Sequence, residues 1–152
     1  MGTAYSDQKT KWDQNDPAEM IKTIEKGGRV RVAYGSYTAA TEQSDIHMFN
    51  LPNGARILSG DLSHAALNAS TTLSVGHAAY NNAAGTAVAL DVDEYKAAAA
   101  STGVVTVAIA ATVALGRNSV VDADKDGLPV TVSLAGANGA GLIELLMTYV
   151  LD

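Results

Sequence analysis

The feature that most constrains this chain is a two-residue hydrophobic period that begins at Arg29. In the stretch RVRVAYGSY, Val30, Val32 and Tyr34 alternate with Arg29 and Arg31. Successive side chains of a strand point to opposite faces, so the pattern indicates a β-strand with one apolar and one basic row. A helix would instead repeat its apolar residues every three or four positions. The chain is therefore expected to build sheets from this point onward.

Short segments of the same kind follow, each bounded by turn residues. DIHMFNL ends at the turn signal PNG, and ARILSGDLSHAAL, STTLSVGHAAY and GVVTVAIAATVAL come after it. The stretch from Val130 to Leu134 alternates again, and the β-branched and aromatic tail of LIELLMTYVL predicts a terminal strand. Seven or eight short strands at this spacing indicate an all-β fold, an antiparallel β-sandwich of jelly-roll type.

Two short helices are predicted outside the strand pattern. NDPAEMIKTIEKGG has Asp16 as its N-cap, Pro17 at the first helical position and a Gly-Gly stop. DVDEYKAAAAST, which starts at Asp91, predicts a small insertion helix because alanine is the strongest helix former. The predicted division is an N-terminal arm with a short helix over residues 1–28 and a jelly-roll-like β-sandwich domain over residues 29–152.

The composition narrows the classes of function. The net charge of −6 and the scattered basic residues argue against a nucleic-acid partner, because phosphate binding needs clustered Lys and Arg. No apolar run is long enough to predict a membrane span, and zero cysteines exclude disulfides and thiolate metal sites. Because 27 residues are alanine and 5% are aromatic, each residue offers little apolar area for burial. Such a domain is expected to gain stability in an oligomer.

The stretch DADKDGLPV is the most specific chemical motif. Asp122, Asp124, Asp126 and Gly127 fit the first half of an EF-hand calcium loop, but Ser133 stands where that loop needs its bidentate Glu. The flanking sequences also lack helical periodicity. The favoured interpretation is a polar hairpin loop in which Asp-Gly supplies the positive φ and the proline opens the next strand. A partial Ca²⁺ site at the three aspartates is the alternative.

No catalytic constellation is evident, and the chain is not expected to be an enzyme. His47, His64 and His77 are far apart in sequence and lack the H-x-H pair with which cupin-type jelly rolls hold a metal. Their convergence across neighbouring strands is left open. Ser63 and His64 are adjacent on a predicted strand, so they point to opposite faces and do not form a nucleophile–base pair. Apart from the alternative Ca²⁺ site, no cofactor is expected.

The strand sequences also resemble a known family. RVRVAYGSYTAA, HMFNLPNGARIL, ALNASTTLSVG and the closing YVLD are similar to the head decoration, or cement, proteins of tailed bacteriophages. The resemblance covers about a third of the chain and carries no catalytic signature. It implies a compact β-domain, often a jelly roll, that assembles as a trimer on the capsid exterior and braces neighbouring capsomers.

The resemblance sets the functional expectation. A structural virion protein on the capsid exterior is expected, with the major capsid protein and further copies of itself, as a trimer, as partners, and with no nucleic acid or membrane. Exposed apolar strand faces would form the trimer seam. The other function considered is a carbohydrate- or calcium-dependent binding module on a virion surface. The residues expected to contact the capsid are Trp12, Met20, Ile21, Ile24, Arg29 and Arg31.

Overall fold

The computed structural model describes residues 28–39, 45–68, 70–136 and 139–151, and their regular structure is almost entirely β. No helix in these ranges is long and apolar enough to cross a membrane. The strands are β1 (Arg29–Ala39), β2 (Asp45–Leu51), β3 (Arg56–His64), β4 (Thr71–His77), β5 (Tyr80–Asn81), β6 (Ala87–Val88), β7 (Asp91–Ala100), β8 (Val105–Ile109), β9 (Leu128–Gly136) and β10 (Gly141–Leu151), with a 3-10 turn at Val113–Leu115.

Eight of these strands form two four-stranded antiparallel sheets that pack as a sandwich. Sheet A has the order β1-β10-β3-β8, and sheet B has the order β2-β9-β4-β7. Consecutive strands alternate between the sheets from β1 to β4 and again from β7 to β10. This connection pattern is that of a jelly roll, so the predicted all-β jelly-roll fold is confirmed. The short strands β5 and β6 form a separate hairpin.

The core lies between the two sheets and is built from alternate residues of the central strands. Ile143, Leu145 and Met147 of β10 are fully buried, as are Val130 and Val132 of β9. Side chains alternate in direction along a strand, so each sheet contributes one row of its central strands to this layer. The other large, fully buried apolar side chains are Leu51, Ile57, Leu62, Leu73, Val75 and Ile109.

The predicted insertion helix is wrong, because Asp91–Ala100 form strand β7. Helix propensity is a weak preference, and here β4 offers a partner, with Leu73 opposite Ala99. The side chain of Tyr95 is buried in the core, and Nζ of Lys96 donates a hydrogen bond to the carbonyl oxygen of Leu73 at 2.9 Å. These tertiary contacts outweigh the local preference of the alanines.

The acidic stretch is not a hairpin loop, in contrast to the favoured sequence interpretation. It lies between β8 of sheet A and β9 of sheet B, so this connection crosses from one sheet to the other. Two details of the prediction are confirmed: Gly127 has a φ of +78°, and Pro129 lies at the start of β9. The amide of Gly127 donates to the carbonyl oxygen of Asp124 at 3.1 Å and closes the turn. The sequence thus predicts the local turn, but it does not predict which strands the flanking segments pair with.

The predicted N-terminal helix and arm lie outside the described residues. The terminal strand, by contrast, is β10, and its place between β1 and β3 makes it a central strand of sheet A. The division of the chain at residues 28 and 29 stays a prediction.

Replacing Gly76 with alanine is expected to destabilise the fold. A β-carbon at Gly76 of β4 would overlap the carbonyl oxygen of Asp91 and would lie 2.5 Å from the carbonyl carbon of Val92. Both are backbone atoms of β7, so the clash is relieved only if the strand moves. We expect a loss of about 3 kcal/mol in the free energy of unfolding, measured by urea denaturation.

Gly103→Ala is the matched control for this substitution. Its β-carbon would meet only a methyl group of Val105, at 3.7 Å, so the change in unfolding free energy should stay below about 0.5 kcal/mol. Similar losses in the two variants would contradict the close approach of β7 to β4.

Candidate interaction surface

The outer face of sheet A carries exposed apolar side chains. On β1, Val30 is 64% exposed, and Val32 and Tyr34 are each 56% exposed. The opposite row of this strand includes Ala33 and Tyr37, which pack against the core. The alternation in the sequence therefore separated the two rows of β1 correctly. The row that contains Val30, Val32 and Tyr34, however, faces away from the core.

Strand β10 continues this face beside β1. Tyr34 pairs with Leu146, and Leu146 pairs in turn with Asp61 of β3. The next pair in the same row joins Ser36 of β1 to Glu144 of β10. Inward-pointing and outward-pointing residues alternate along β10. The outer row therefore places the carboxylate of Glu144 between the apolar side chains of Leu142 and Leu146.

Polar groups on this face bond to one another across neighbouring strands. Oγ of Ser63 lies 2.8 Å from Oγ1 of Thr106, and Oγ of Ser59 lies 2.8 Å from Oγ1 of Thr148. Pairing of this kind satisfies the hydroxyl groups within the sheet. The face is consequently a mixed surface on which hydroxyl pairs separate apolar groups.

A shallow hollow of about 240 Å³ on this face extends across β10, β3 and β8. Its rim includes Val104, which is 81% exposed, and Leu142, which is 44% exposed. The full lining consists of Ser63, His64, Ala65, Val104, Val105, Thr106, Leu142 and Glu144. An apolar rim with a few polar groups suits a side chain of a protein partner.

The electrostatics of the face centre on Glu144. The hydroxyl of Tyr34 donates a hydrogen bond to Oε1 of Glu144 at 2.5 Å. This hydrogen bond raises the pKa of Tyr34, because the neutral phenol can donate to the carboxylate and the phenolate cannot. Asp61, which pairs with Leu146, is a second carboxylate of the face, so this part of sheet A has two negative charges.

The carboxylates of the three aspartates in the acidic stretch accept hydrogen bonds from different donors. Oδ1 of Asp122 accepts from the amide of Ala83 at 3.2 Å, and Oδ1 of Asp124 accepts from the amide of Asp126 at 2.9 Å. Oδ1 of Asp126 accepts from Nζ of Lys125 at 2.7 Å. Within the described ranges, no three His, Cys, Asp or Glu side chains gather as a metal site would require. The structure does not bring Asp122, Asp124 and Asp126 together as ligands.

The histidines fall into two separate environments. His47 and His77 line a cavity of about 80 Å³ in sheet B together with Asp45. Nδ1 of His77 lies 3.0 Å from the carbonyl oxygen of Ala78. The imidazole ring of His77 packs edge-on against the ring of Tyr80. The third histidine, in β3, belongs to sheet A. The three side chains therefore do not converge.

Only part of the predicted capsid contact falls within the described residues. Arg29 and Arg31 lie at the exposed start of β1. The other four residues of that prediction, Trp12, Met20, Ile21 and Ile24, lie outside the described ranges.

Sequence reasoning missed the contribution of β10 to the surface. LIELLM is apolar in both rows, so its hydrophobicity alone does not tell which row faces out. The single charge, Glu144, is the signal that fixes the phase: it places Leu142 and Leu146 in the outer row and Ile143 and Leu145 in the core.

Comparisons with known proteins place this architecture among phage capsids. No protein-family model matches the chain, and no curated protein matches it. A chain of the cyanophage Pam1 capsid asymmetric unit is 26% identical with a TM-score of 0.56, and the match covers 84% of this chain and 88% of that chain. A chain of the capsid of Ralstonia phage GP4 is 20% identical with a TM-score of 0.58, over 82% and 86% of the two chains. The second likeness shows the fold alone.

Replacing Glu144 with glutamine should lower the pKa of Tyr34 towards its ordinary value. The variant replaces the carboxylate that accepts the hydrogen bond of the phenol with a neutral amide, which favours the protonated phenol less, so the phenol should titrate at lower pH. The pKa of this tyrosine is measured by NMR of the ring carbon that bears the hydroxyl. Asp61→Asn is the control, because Asp61 makes no hydrogen bond to Tyr34; an equal shift in both variants would contradict the specific bond.

Calcium should leave the melting temperature of the protein unchanged. The carboxylates of Asp122, Asp124 and Asp126 do not gather as a ligand set, so the loop would have to rearrange before the three could bind one ion. Thermal unfolding is followed with Ca²⁺, with Mg²⁺ and with a chelator. A rise with Ca²⁺ that Mg²⁺ does not reproduce would restore the calcium hypothesis.

Proposed function

We propose that this protein is a structural component of a tailed-phage capsid, which decorates the outside of the shell and braces neighbouring capsomers as a trimer. The observation that carries the proposal is the likeness to a Pam1 capsid chain over more than four-fifths of both chains. That likeness supports a phage capsid-related structural protein. The decorating role and the trimer rest on the resemblance of the strand sequences to cement proteins.

The proposed mechanism is mass action and involves no chemical step. A protein that binds across the joints of an assembled shell, and does not bind free subunits, stabilises the shell by its binding free energy. Such a protein needs complementary surface and not a catalytic site. We therefore propose that the chain is not an enzyme and works without a cofactor.

The outer face of sheet A suits the seam between copies. With strand spacings of about 4.8 Å and a rise of about 3.4 Å per residue, its flat area is on the order of 500 Å². The accessible area of its side chains is larger, and a standard interface takes about 800 Å² from each partner. A closed trimer has heterologous contacts, so this face would meet a different surface of the next copy.

The start of β1 suits contact with the shell. Arg29 and Arg31 are exposed there, in a chain whose net charge is −6. Local positive charge on an acidic protein favours approach to an acidic partner surface in one orientation. The other predicted contacts, Trp12, Met20, Ile21 and Ile24, lie outside the described residues.

The protein alone is expected to have the mass of three chains in light scattering. Val104→Asp should weaken association by about tenfold or more, because it places a charge in the proposed seam. Val113→Asp is the matched control: Val113 is also exposed, at 78%, but it lies on the 3-10 turn and outside this face. A monomer, or equal effects of the two variants, would contradict the seam.

Capsids assembled without this protein should denature at a lower temperature than capsids that contain it, and added protein should restore their stability. Co-sedimentation with such particles, followed by calorimetry of the particles, measures both effects. The Val113→Asp variant should restore stability like the unmodified chain. If the protein does not sediment with the particles, the decorating role is wrong even if the trimer is correct.

A further inference from the structure

The four edge strands of the two sheets differ in how they resist pairing with another strand. β8 is five residues long, and a short edge offers few hydrogen bonds. β2 has a register shift between His47 and Phe49, and β7 pairs with β4 through two such shifts. Short length and irregular register are the usual protection of an exposed edge. Three of the four edges are therefore protected.

Strand β1 lacks this protection. It is eleven residues long and pairs with β10 one to one along its whole length, with no register shift. It contains no proline and no lysine. A long, regular edge presents a row of backbone donors and acceptors to any extended chain that approaches it.

Within the described ranges, the free part of this edge is its first half. Arg29, Val30, Arg31 and Val32 are all exposed, so both faces of the strand are open there. Further along, β2 approaches: a β-carbon at Gly35 would lie 2.8 Å from the carbonyl oxygen of Met48. An incoming strand would therefore meet the segment before Gly35.

The charges of this segment indicate what kind of strand fits. Arg29 and Arg31 lie in one row, and neither forms an ion pair with a described residue. Two copies that paired through the open segment would bring four guanidinium groups together, which opposes self-association there. A partner with carboxylates in the facing row would instead be attracted.

We propose that the segment Arg29–Tyr34 is a docking edge for an extended, acidic segment of a partner polypeptide. The incoming strand would lengthen sheet A by hydrogen bonds to the open edge of β1, which is the β-augmentation mode of recognition. Its carboxylates would lie beside Arg29 and Arg31, and its apolar residues would pack beside Val30 and Val32. This mode of binding uses the same arginines as the proposed shell contact, but it requires only an extended acidic segment and does not require that the protein decorate a capsid.

The test uses the full chain and a short synthetic peptide in which glutamate and valine alternate. The peptide should shift the amide resonances of β1 in NMR spectra, and added salt should weaken its binding. Two control peptides share its length: one replaces glutamate with lysine, and the other is N-methylated at alternate residues. Both should bind about tenfold more weakly or worse, since one loses the charge match and the other loses backbone donors.

Charge reversal at the docking edge separates this proposal from its rivals. The double variant Arg29→Glu with Arg31→Glu should lose the glutamate peptide and gain affinity for the lysine peptide. Arg117→Glu, at an exposed arginine outside β1, should behave like the unmodified chain. Should the double variant fail to fold, the comparison of the three peptides on the unmodified chain still decides the question.

Three results would overturn the proposal. The peptides could bind equally whatever their charge or methylation. The shifted resonances could lie outside β1. The double variant could change the mass of the protein alone, which would make this edge a seam between copies. None of these results bears on whether the protein sediments with capsids, so the two proposals fail separately.

Discussion

The rest of the structure depends on the pairing of the last strand, β10, with the first, β1, and with β3. Arg29 pairs with Leu151, and the ladder then runs without a break to Ala39 opposite Gly141. β1 has no other strand partner in the described sheets, so it joins sheet A only when the two ends of the domain meet. Such pairing is non-local, which makes the fold cooperative and is associated with slow folding.

The same strand also supplies both the core and the surface. Because side chains alternate, β10 sends Ile143 and Leu145 into the core and presents Leu142 and Glu144 on the outer face. The position of the surface groups is thereby fixed by the packing of the core. A rigid, pre-formed face loses little conformational freedom on association, which favours binding by surface complementarity. This is the property that a protein of the proposed structural role requires.

Charge then divides this surface into an acidic region and a basic region. The face of sheet A has the carboxylates Asp61 and Glu144, whereas the open start of β1 has Arg29 and Arg31. The proposed seam uses the apolar groups around the carboxylates, and the proposed docking edge uses backbone groups beside the arginines. The acidic loop is assigned to neither: it lies between β8 and β9, and Oδ1 of each of its three carboxylates accepts a hydrogen bond within the protein.

The sequence by itself determined the strands, the turns and the class of fold, because a two-residue period and Asn-Gly or Asp-Gly turns are local properties of the backbone. It failed where the outcome depends on distant partners. The alanines of Asp91–Ala100 favour a helix in isolation, but pairing with β4 makes this segment a strand. The acidic loop connects strands of two different sheets and not two neighbouring strands of one sheet. Alternation separated the rows of β1, yet only the position of sheet B decided that Val30 and Val32 face solvent. Most strands are encoded locally, whereas the strand character of β7, and the partner, edge and exposure of each strand, are set by contacts between residues far apart in the chain.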